Sequence, residues 1–257
     1  MFLRFQRWGL IRRLFWGCYK RLFVFRSAAG HRTAKRGISF SEEPIRVNSC
    51  DSWSKKSTNL KTYSIIAYFC IMIYLNEHTD LLDIEKALAT VSAQRREQAL
   101  KFAHESGRRL SLAVYLLLME GLQKEYGITE APVFDYLEGG KPVINGHPEI
   151  HFNFSHSGKV ALCAIDSRPV GADVETARKI TPSLIAYTMN EEEQKIIASA
   201  PDKIMTFLSF WTKKEAVLKL TGEGIRSDLK KVLDNPELYH IETITTEKYV
   251  YSIAKYN

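Results

Sequence analysis

The sequence predicts an α+β fold on three observations. Residues 93–126 place apolar side chains at helical spacing, which predicts a helix or a pair of helices. Residues 206–220 contain neither Gly nor Pro and predict a second long helix, with Gly222 as its stop. Between these segments lie short strand-like runs. The strands expected there are 133–136, 150–154, 160–165 and 170–175.

Two further elements complete this prediction. Residues 181–198 predict a helix with Glu191, Glu192 and Glu193 on its exposed side. Residues 249–254 predict a strand near the C-terminus. The length of 257 residues allows one or two domains, and 45% apolar residues is ordinary for a globular chain.

The expected strand at 169–175 carries two carboxylates on one face. Asp173 and Glu175 are two residues apart, and side chains two apart in a strand point the same way. Neighbouring carboxylates repel each other unless a positive charge lies between them. Mg²⁺ binds such oxygen ligands together with substrate phosphates. The strand therefore indicates either a hard-metal site or an edge strand with a solvated acidic face.

The helix at 206–220 carries an acid and a base on one stripe. Trp211, Glu215 and Lys219 follow one another at four-residue spacing, so they share a helix face. One interpretation is an ordinary ion pair on the helix surface, worth a few tenths of a kcal/mol. The other makes Glu215 a third metal ligand or a base, with Lys219 contacting a phosphate.

Two shorter segments add candidate phosphate contacts. Residues 155–157 read Ser-His-Ser after an alternating strand in which Phe152 and Phe154 face one way. Hydroxyl and imidazole groups can donate hydrogen bonds to phosphate, although the triplet is also typical of a turn. The segment Gly-Gly-Lys-Pro at 139–142 predicts a turn with Lys141 at its exit, either a phosphate contact or a solvated loop charge.

Together these motifs resemble the 4′-phosphopantetheinyl transferases, and within them the Sfp-type (holo-acyl-carrier-protein synthase) branch. The resemblance rests on Gly-Ala-Asp-Val-Glu at 171–175 and Phe-Trp-Thr-Lys-Lys-Glu-Ala-Val-Leu-Lys at 210–219. Gly-Lys-Pro at 140–142 and Phe-Asn-Phe-Ser-His-Ser at 152–157 precede them in the family's order. The resemblance covers approximately residues 72–225.

The resemblance implies an activity and a fold. The activity is Mg²⁺-dependent transfer of the phosphopantetheine arm of coenzyme A to a serine of an apo acyl or peptidyl carrier protein, which releases adenosine 3′,5′-bisphosphate. The carrier could serve fatty-acid biosynthesis, polyketide or peptide assembly, or lysine metabolism. The implied fold is two similar α/β halves, 67–168 and 169–257, that form a pseudo-dimer within a monomer.

The resemblance also implies roles for individual residues. Glu215 would be the catalytic base, and Lys219 would stabilise the departing phosphate and contact the pyrophosphate. The implied Mg²⁺ ligands are Asp173, Glu175 and Glu215. The implied coenzyme contacts are Arg95, Ser111, Lys141, Ser155, His156 and Lys219. Arg95 stands where the family often has lysine, and uncharged Gln98 occupies a second position that is commonly basic.

Charge divides the chain unevenly. The formal net charge is +7, but residues 1–71 hold 14 basic and 3 acidic residues, and the remainder holds 22 basic and 26 acidic ones. The net charge is therefore +11 in the first part and −4 in the second. The enzyme-like part is mildly acidic, so nucleic acid is not an expected partner.

The basic N-terminal extension, residues 1–66, has four interpretations. It could be a basic aromatic helix at a membrane surface, an organelle transit peptide, a nucleic-acid arm, or a disordered leader produced by a misplaced start. We favour a misplaced start, with Met72 as the true first residue, because Met-Ile-Tyr-Leu at 72–75 resembles the family's first strand.

The expected cellular location follows from the number of cysteines and from the length of the apolar run. The apolar run at 65–75 is shorter than the roughly 20 residues of a membrane span, so a buried strand is expected there and no transmembrane segment. Cys163 is the single cysteine of the matched region, which indicates a reducing cytoplasm.

A different class of function remains open from the sequence. The chain could be a non-catalytic coenzyme A-binding protein, or a membrane-associated regulator that uses its basic extension. All three carboxylates and Lys219 are present, however, and loss of any one would have favoured an inactive protein. The sequence therefore favours the enzyme.

Overall fold

The computed structural model describes residues 71–137, 139–223 and 228–257. The interpretations of residues 1–66 lie outside these ranges, as does the first part of the apolar run at 65–75. The first strand of the described chain, Met72–Asn76, overlaps the end of that run. Among the described residues, no helix combines the length and apolar composition that a membrane span requires.

The first sheet has three antiparallel strands in the order β1-β5-β4. Three helices lie between β1 and β4 in sequence, and the long helix α3 packs on one face of this sheet. The bounds are β1 Met72–Asn76, α1 Ile84–Thr90, α2 Ala93–Leu100, α3 Glu105–Tyr126, β4 His151–Ser157 and β5 Val160–Asp166. The prediction of a helix or helix pair at 93–126 is confirmed as a pair, α2 and α3.

The second sheet repeats this arrangement, with strand order β6-β8-β7. Again one strand is followed by three helices and then by an antiparallel hairpin, whose last strand is central. The bounds are β6 Val170–Thr176, α4 Pro182–Thr188, α5 Glu191–Ser199, α6 Lys203–Thr221, β7 Tyr239–Thr245 and β8 Tyr249–Tyr256. The two sheets with their helices therefore share element order and strand order, and the fold is mixed α+β.

The faces of β4 divide its residues between two partners. Phe152 and Phe154 pack into the core beneath α3, together with Phe134. Asn153, which lies between them, faces the second sheet, and its side-chain oxygen accepts a hydrogen bond from the Ala172 backbone N–H at 3.0 Å. The expectation that the two phenylalanines share a face is confirmed. The Ser-His-Ser triplet, however, forms the last three residues of the strand rather than a turn.

A small hairpin joins α3 to β4. It consists of β2 (Phe134–Tyr136) and β3 (Pro142–Ile144), paired antiparallel. The turn between them contains Gly139 and Gly140 with φ of 99° and 85°, a backbone region that favours glycine. The predicted turn before Lys141 is therefore confirmed.

The helix predicted at 181–198 is two helices, because the chain breaks at Met189 and Asn190. The Asn190 side chain accepts a hydrogen bond from the Glu193 N–H, and the Glu193 carboxylate accepts one from the Asn190 N–H. This reciprocal capping box starts a new helix, α5. Placing Glu193 on the exposed side was wrong: it is 5% exposed and pairs with fully buried Lys214 at 2.7 Å.

Close contact between β6 and α6 depends on Gly171. A Cβ atom at this position would lie 1.9 Å from the Ala216 carbonyl oxygen and 2.6 Å from the Leu220 amide nitrogen. Only a residue without a side chain lets the strand lie this close to the helix. The spacing that results places the polar residues of β6 next to those of α6.

We expect Gly171→Ala to destabilise the protein by about 3 kcal/mol or more, because its clash is with helix backbone rather than with a movable side chain. Gly146→Ala is the matched control. Gly146 has φ of 80° and no atom near its would-be Cβ, so the control should cost only about 1 kcal/mol of backbone strain. Urea unfolding of both variants measures the difference, and equal losses would contradict the close-contact argument.

Candidate active site

The polar face of β6 and the inner face of α6 meet at one cluster. Asp173 and Glu175 lie two apart on β6 and point the same way, as predicted. Lys219, on α6, donates a hydrogen bond to the Asp173 Oδ1 atom at 2.6 Å. Glu215 lies one turn earlier on α6, and its ionisation is affected by the charges of Asp173, Glu175 and Lys219. The structure therefore brings together the four residues to which the sequence assigned metal and phosphate chemistry.

Lys219 is held at the meeting point of the two sheets. Its ammonium group also lies 3.1 Å from the Ala172 carbonyl oxygen of β6 and 3.4 Å from the Phe154 carbonyl oxygen of β4. These three acceptors fix the position of the charge. Lys219 therefore neutralises part of the acidic cluster and contacts both halves of the molecule, and its ion pair is with Asp173 of β6.

Two serines of β4 donate hydrogen bonds to the two carboxylates of β6. The Ser155 hydroxyl lies 2.7 Å from Asp173 Oδ1, and the Ser157 hydroxyl lies 2.6 Å from Glu175 Oε2. Arg178 contacts the other Glu175 oxygen at 3.3 Å. The Asp173 Oδ2 atom is buried and has no hydrogen-bond partner among the described residues.

The cluster raises the pKa of two of its acids. Burial raises the pKa of Glu215 to about 7, with a further contribution from the negative charge of Asp173, while Lys219 acts in the opposite direction. Burial also raises the pKa of Glu175, again with help from Asp173. Three acids and one lysine therefore leave excess negative charge in a poorly hydrated place.

This donor set fits a hard divalent cation. Carboxylate oxygens are the ligands that Mg²⁺ prefers, and the unpartnered Asp173 Oδ2 atom is free to coordinate one. Within the described ranges, however, no three acidic, histidine or cysteine side chains are already arranged as a metal cluster. Asp173, Glu175 and Glu215 thus supply suitable chemistry, while Lys219 occupies one Asp173 oxygen.

Arg95 and Ser111, both predicted coenzyme contacts, lie together. Arg95 Nη1 donates to the Ser111 hydroxyl at 3.3 Å, and the guanidinium lies over the rings of Tyr115 and Phe134 at 5.0 and 5.5 Å. Arg95 is 5% exposed, and burial lowers its pKa to about 10. This pair lies against the aromatic core of the first half.

Lys141, a further predicted coenzyme contact, reaches the second half. Its ammonium group donates to the Leu220 carbonyl oxygen at 3.0 Å, near the C-terminal end of α6. Positive charge is favourable there, because the helix dipole places partial negative charge at that end. Burial lowers the pKa of Lys141. The loop that carries it is thereby attached to the helix that carries Glu215 and Lys219.

His156 points away from Ser155. It is paired with Ala161 on β5, whose side chain belongs to the core beneath α3, so His156 faces that core and is 4% exposed. Ser155 faces β6 and hydrogen-bonds Asp173. The two neighbours, which the sequence grouped as phosphate contacts, therefore lie on opposite faces of the strand.

Two residues of the cluster were not assigned a role from the sequence. Ser157 contacts Glu175, and it could have been found from its two-residue spacing from Ser155 on the same strand face. Arg178 follows β6 and turns back onto Glu175. The sequence contains no signal for that return, because it depends on the path of the chain after the strand.

Comparison with known proteins identifies the family. A model of the 4′-phosphopantetheinyl transferase superfamily matches residues 169–254, which span the second sheet and α6. A 4′-phosphopantetheinyl transferase of Bacillus subtilis is 31% identical over 156 residues, 60% of this chain and 70% of that protein. The chain belongs to the 4′-phosphopantetheinyl transferase family.

Further relatives agree with this assignment. The transferase HetI of Nostoc sp. is 32% identical over 183 residues, 68% of this chain and 76% of that protein. The transferase Sfp of Bacillus subtilis strain 168 is 27% identical over 156 residues. The predicted resemblance to the Sfp-type branch is confirmed, and the protein is an enzyme of the transferase class.

The pKa of Glu215 gives a test of this cluster without substrate. A carboxyl whose pKa is raised on folding, here to about 7, favours the folded state below its unfolded value near 4.3, and this stabilisation is lost as pH rises through 7. In chelator, wild-type transferase should therefore lose thermal stability between pH 5 and 8 relative to Glu215→Gln. Melting temperatures of both proteins across this range measure it. A constant difference would contradict the raised pKa.

Proposed function

We propose that the transferase moves the 4′-phosphopantetheine arm of coenzyme A to a serine hydroxyl of an apo acyl or peptidyl carrier protein. The new bond joins the serine oxygen to the β-phosphorus, and the bond between that phosphorus and the bridging pyrophosphate oxygen breaks. Adenosine 3′,5′-bisphosphate leaves, and the serine proton passes to a base. The observation that carries this proposal is the acidic cluster with Lys219 at the junction of the two sheets.

Glu215 is the proposed base. Without bound metal, burial raises the pKa of Glu215 to about 7, so this carboxyl can exchange a proton near neutral pH, where a general base works best, and bound Mg²⁺ would lower this pKa. The serine that attacks belongs to the carrier, so no side chain of this protein needs to act as nucleophile. Glu215 can take the proton directly or through water.

Lys219 is proposed to balance the charge of the departing phosphate. Its three N–H donors are used by Asp173 and by two carbonyl oxygens, so it would act on a phosphate placed beside Asp173 through its charge or by exchanging one of these acceptors. Asp173, Glu175 and Glu215 would hold Mg²⁺, which when bound neutralises charge that develops on phosphate oxygens. The unpartnered Asp173 Oδ2 atom supports this ligand set.

The coenzyme is proposed to lie between the two halves, which would act as a pseudo-dimer within a monomer. The proposed boundary falls between β5, which ends at Asp166, and β6, which begins at Val170. The proposed contacts other than Lys219 come from the first half, and Lys141 already reaches across to α6. Those contacts are Arg95, Ser111, Lys141, Ser155 and His156.

Two broader features are part of the proposal. The protein would act in the cytoplasm, in keeping with the single cysteine of the transferase region, Cys163, which is free and buried. The carrier would dock through a local basic patch, because carrier proteins are generally acidic. Fatty-acid biosynthesis is one of the pathways that such a carrier would serve.

The activity is tested on the full chain with coenzyme A, Mg²⁺ and a panel of apo carrier proteins. We expect at least one carrier to gain the mass of a single phosphopantetheine arm, and we expect chelator to abolish the gain. Asp173→Asn should reduce the rate by about 100-fold or more, because it removes charge that no neighbour replaces. A folded wild-type protein that binds coenzyme A but modifies no carrier would favour the alternative, a non-catalytic binding protein.

His156 is tested by its effect on coenzyme binding. If His156 donates to a phosphate, His156→Ala should raise the KM for coenzyme A by about 10-fold or more, as expected for a hydrogen bond to a charged group, with a smaller effect on kcat. His240→Ala is the control, because His240 lies on β7 outside the proposed site, exposed and paired with Glu242. An unchanged KM in the His156 variant would mean that His156 serves only the core.

A further inference from the structure

Ser157 is the part of the Ser-His-Ser motif to which the proposed activity gives no task. It is 1% exposed and is the last residue of β4. Its hydroxyl lies 2.6 Å from Glu175 Oε2 and 3.1 Å from the Thr176 hydroxyl. It therefore joins the first half of the molecule to one of the carboxylates proposed to hold the metal.

The direction of these hydrogen bonds follows from proton counting. A serine hydroxyl has one proton to donate and lone pairs to accept with. An ionised Glu175 can only accept, so Ser157 gives its proton to Glu175 and accepts one from Thr176. The result is a directed chain, Thr176 to Ser157 to Glu175, in which each bond polarises the next.

The backbone brings the three side chains of this hydrogen-bond series close together. Gly158 follows Ser157 with φ of 58°, and a Cβ atom there would lie 2.9 Å from the Thr176 hydroxyl oxygen. The absence of a side chain at this turn lets β4 approach the end of β6 closely enough for both hydroxyl contacts. The glycine at position 158 and the hydroxyl hydrogen bonds of Ser157 therefore support the same contact between β4 and the end of β6.

We infer that Ser157 is a positioning residue, whose hydroxyl, itself held by Thr176, fixes the Glu175 carboxylate in the orientation that faces Asp173 and Glu215. Arg178 restrains the other Glu175 oxygen from the side, at 3.3 Å and partly exposed. Ser157 restrains the Glu175 carboxylate from its buried side, where water cannot replace the Ser157 hydroxyl if that donor is lost. The first half of the molecule thereby sets the geometry of a ligand carried by the second half.

This inference deepens the proposed function, because it rests on Glu175 being a metal ligand. Residues that hydrogen-bond a metal ligand and fix its orientation typically increase the metal affinity by about 10- to 100-fold. We therefore expect Ser157→Ala to weaken metal binding by that factor. Thr176→Val, which removes only the outer hydroxyl, should weaken it less.

The test measures binding of Mn²⁺, as a probe for Mg²⁺, to the full-length protein by electron paramagnetic resonance without substrates. Thr188→Val is the matched control, because Thr188 also has a buried hydroxyl but donates it to the Leu184 carbonyl oxygen on α4, away from β6. It should leave the dissociation constant unchanged. Ser157→Thr keeps the hydroxyl and should restore binding to within a few-fold of wild type, which a purely steric role would not predict.

The possible results test the role of Ser157 separately from the proposed metal site. If wild-type protein binds no Mn²⁺, the proposed metal site is wrong, and the role of Ser157 is overturned with it. If wild type binds and folded Ser157→Ala binds equally well, the positioning role alone is overturned. If Ser157→Ala does not fold, Thr176→Val decides, and binding equal to that of wild type overturns the inference.

Discussion

The structure depends on how three carboxylates are kept beside one ammonium group at the junction of two sheets. Asp173, Glu175 and Glu215 would repel one another in a poorly hydrated place, and Lys219 compensates only part of their charge. Burial first, and then the negative charge of Asp173, raise the pKa of Glu175 and the pKa of Glu215. Carboxylates that repel one another in this way are suited to hold a cation.

The cluster persists because its supports come from both sides of β6. On one side α6 approaches the strand at Gly171 and supplies Glu215 and Lys219. On the other side β4 supplies two serine hydroxyls that hold the carboxylates. Away from the cluster, Asp166 at the end of β5 pairs with Lys255 of β8 at 3.4 Å, so the two sheets are also joined by a buried ion pair. The acidic cluster is therefore formed at the contact between the two sheets and not within either half alone.

A second buried charge fixes the helix that carries the cluster. Lys214, next to Glu215 in sequence, points away from the cluster and donates to Glu193 and to the carbonyl oxygens of Thr188 and Leu229. Removing one partner of such a buried pair typically costs about 3–5 kcal/mol. Lys214 thus ties α6 to the start of α5, while its neighbour faces the site. Two adjacent charged residues serve opposite faces of one helix.

Periodicity explains how much of this could be read from the sequence. Two-residue spacing placed Asp173 and Glu175 on one face, and four-residue spacing placed Glu215 and Lys219 on another, because both rules are local. The break before Asn190 was missed although its capping box with Glu193 is a local signal. The burial of Glu193 was missed because it depends on Lys214, 21 residues away. Likewise, the opposite directions of Ser155 and His156 follow from strand alternation, but only once the strand is known to continue through them.

The Ser-His-Ser triplet at 155–157, which looks like a ligand-binding loop in the sequence, therefore also has a structural role. Ser155 and Ser157 project towards β6, while His156 between them projects into the other layer, so one short segment contacts the carboxylates and the core of the first half at once. An alternating strand is the simplest backbone that can do this, because its period of two separates neighbours onto opposite faces. A turn at the same place would have released the hydroxyls from the carboxylates. The requirement that two halves share one acidic cluster thus explains why this triplet is extended.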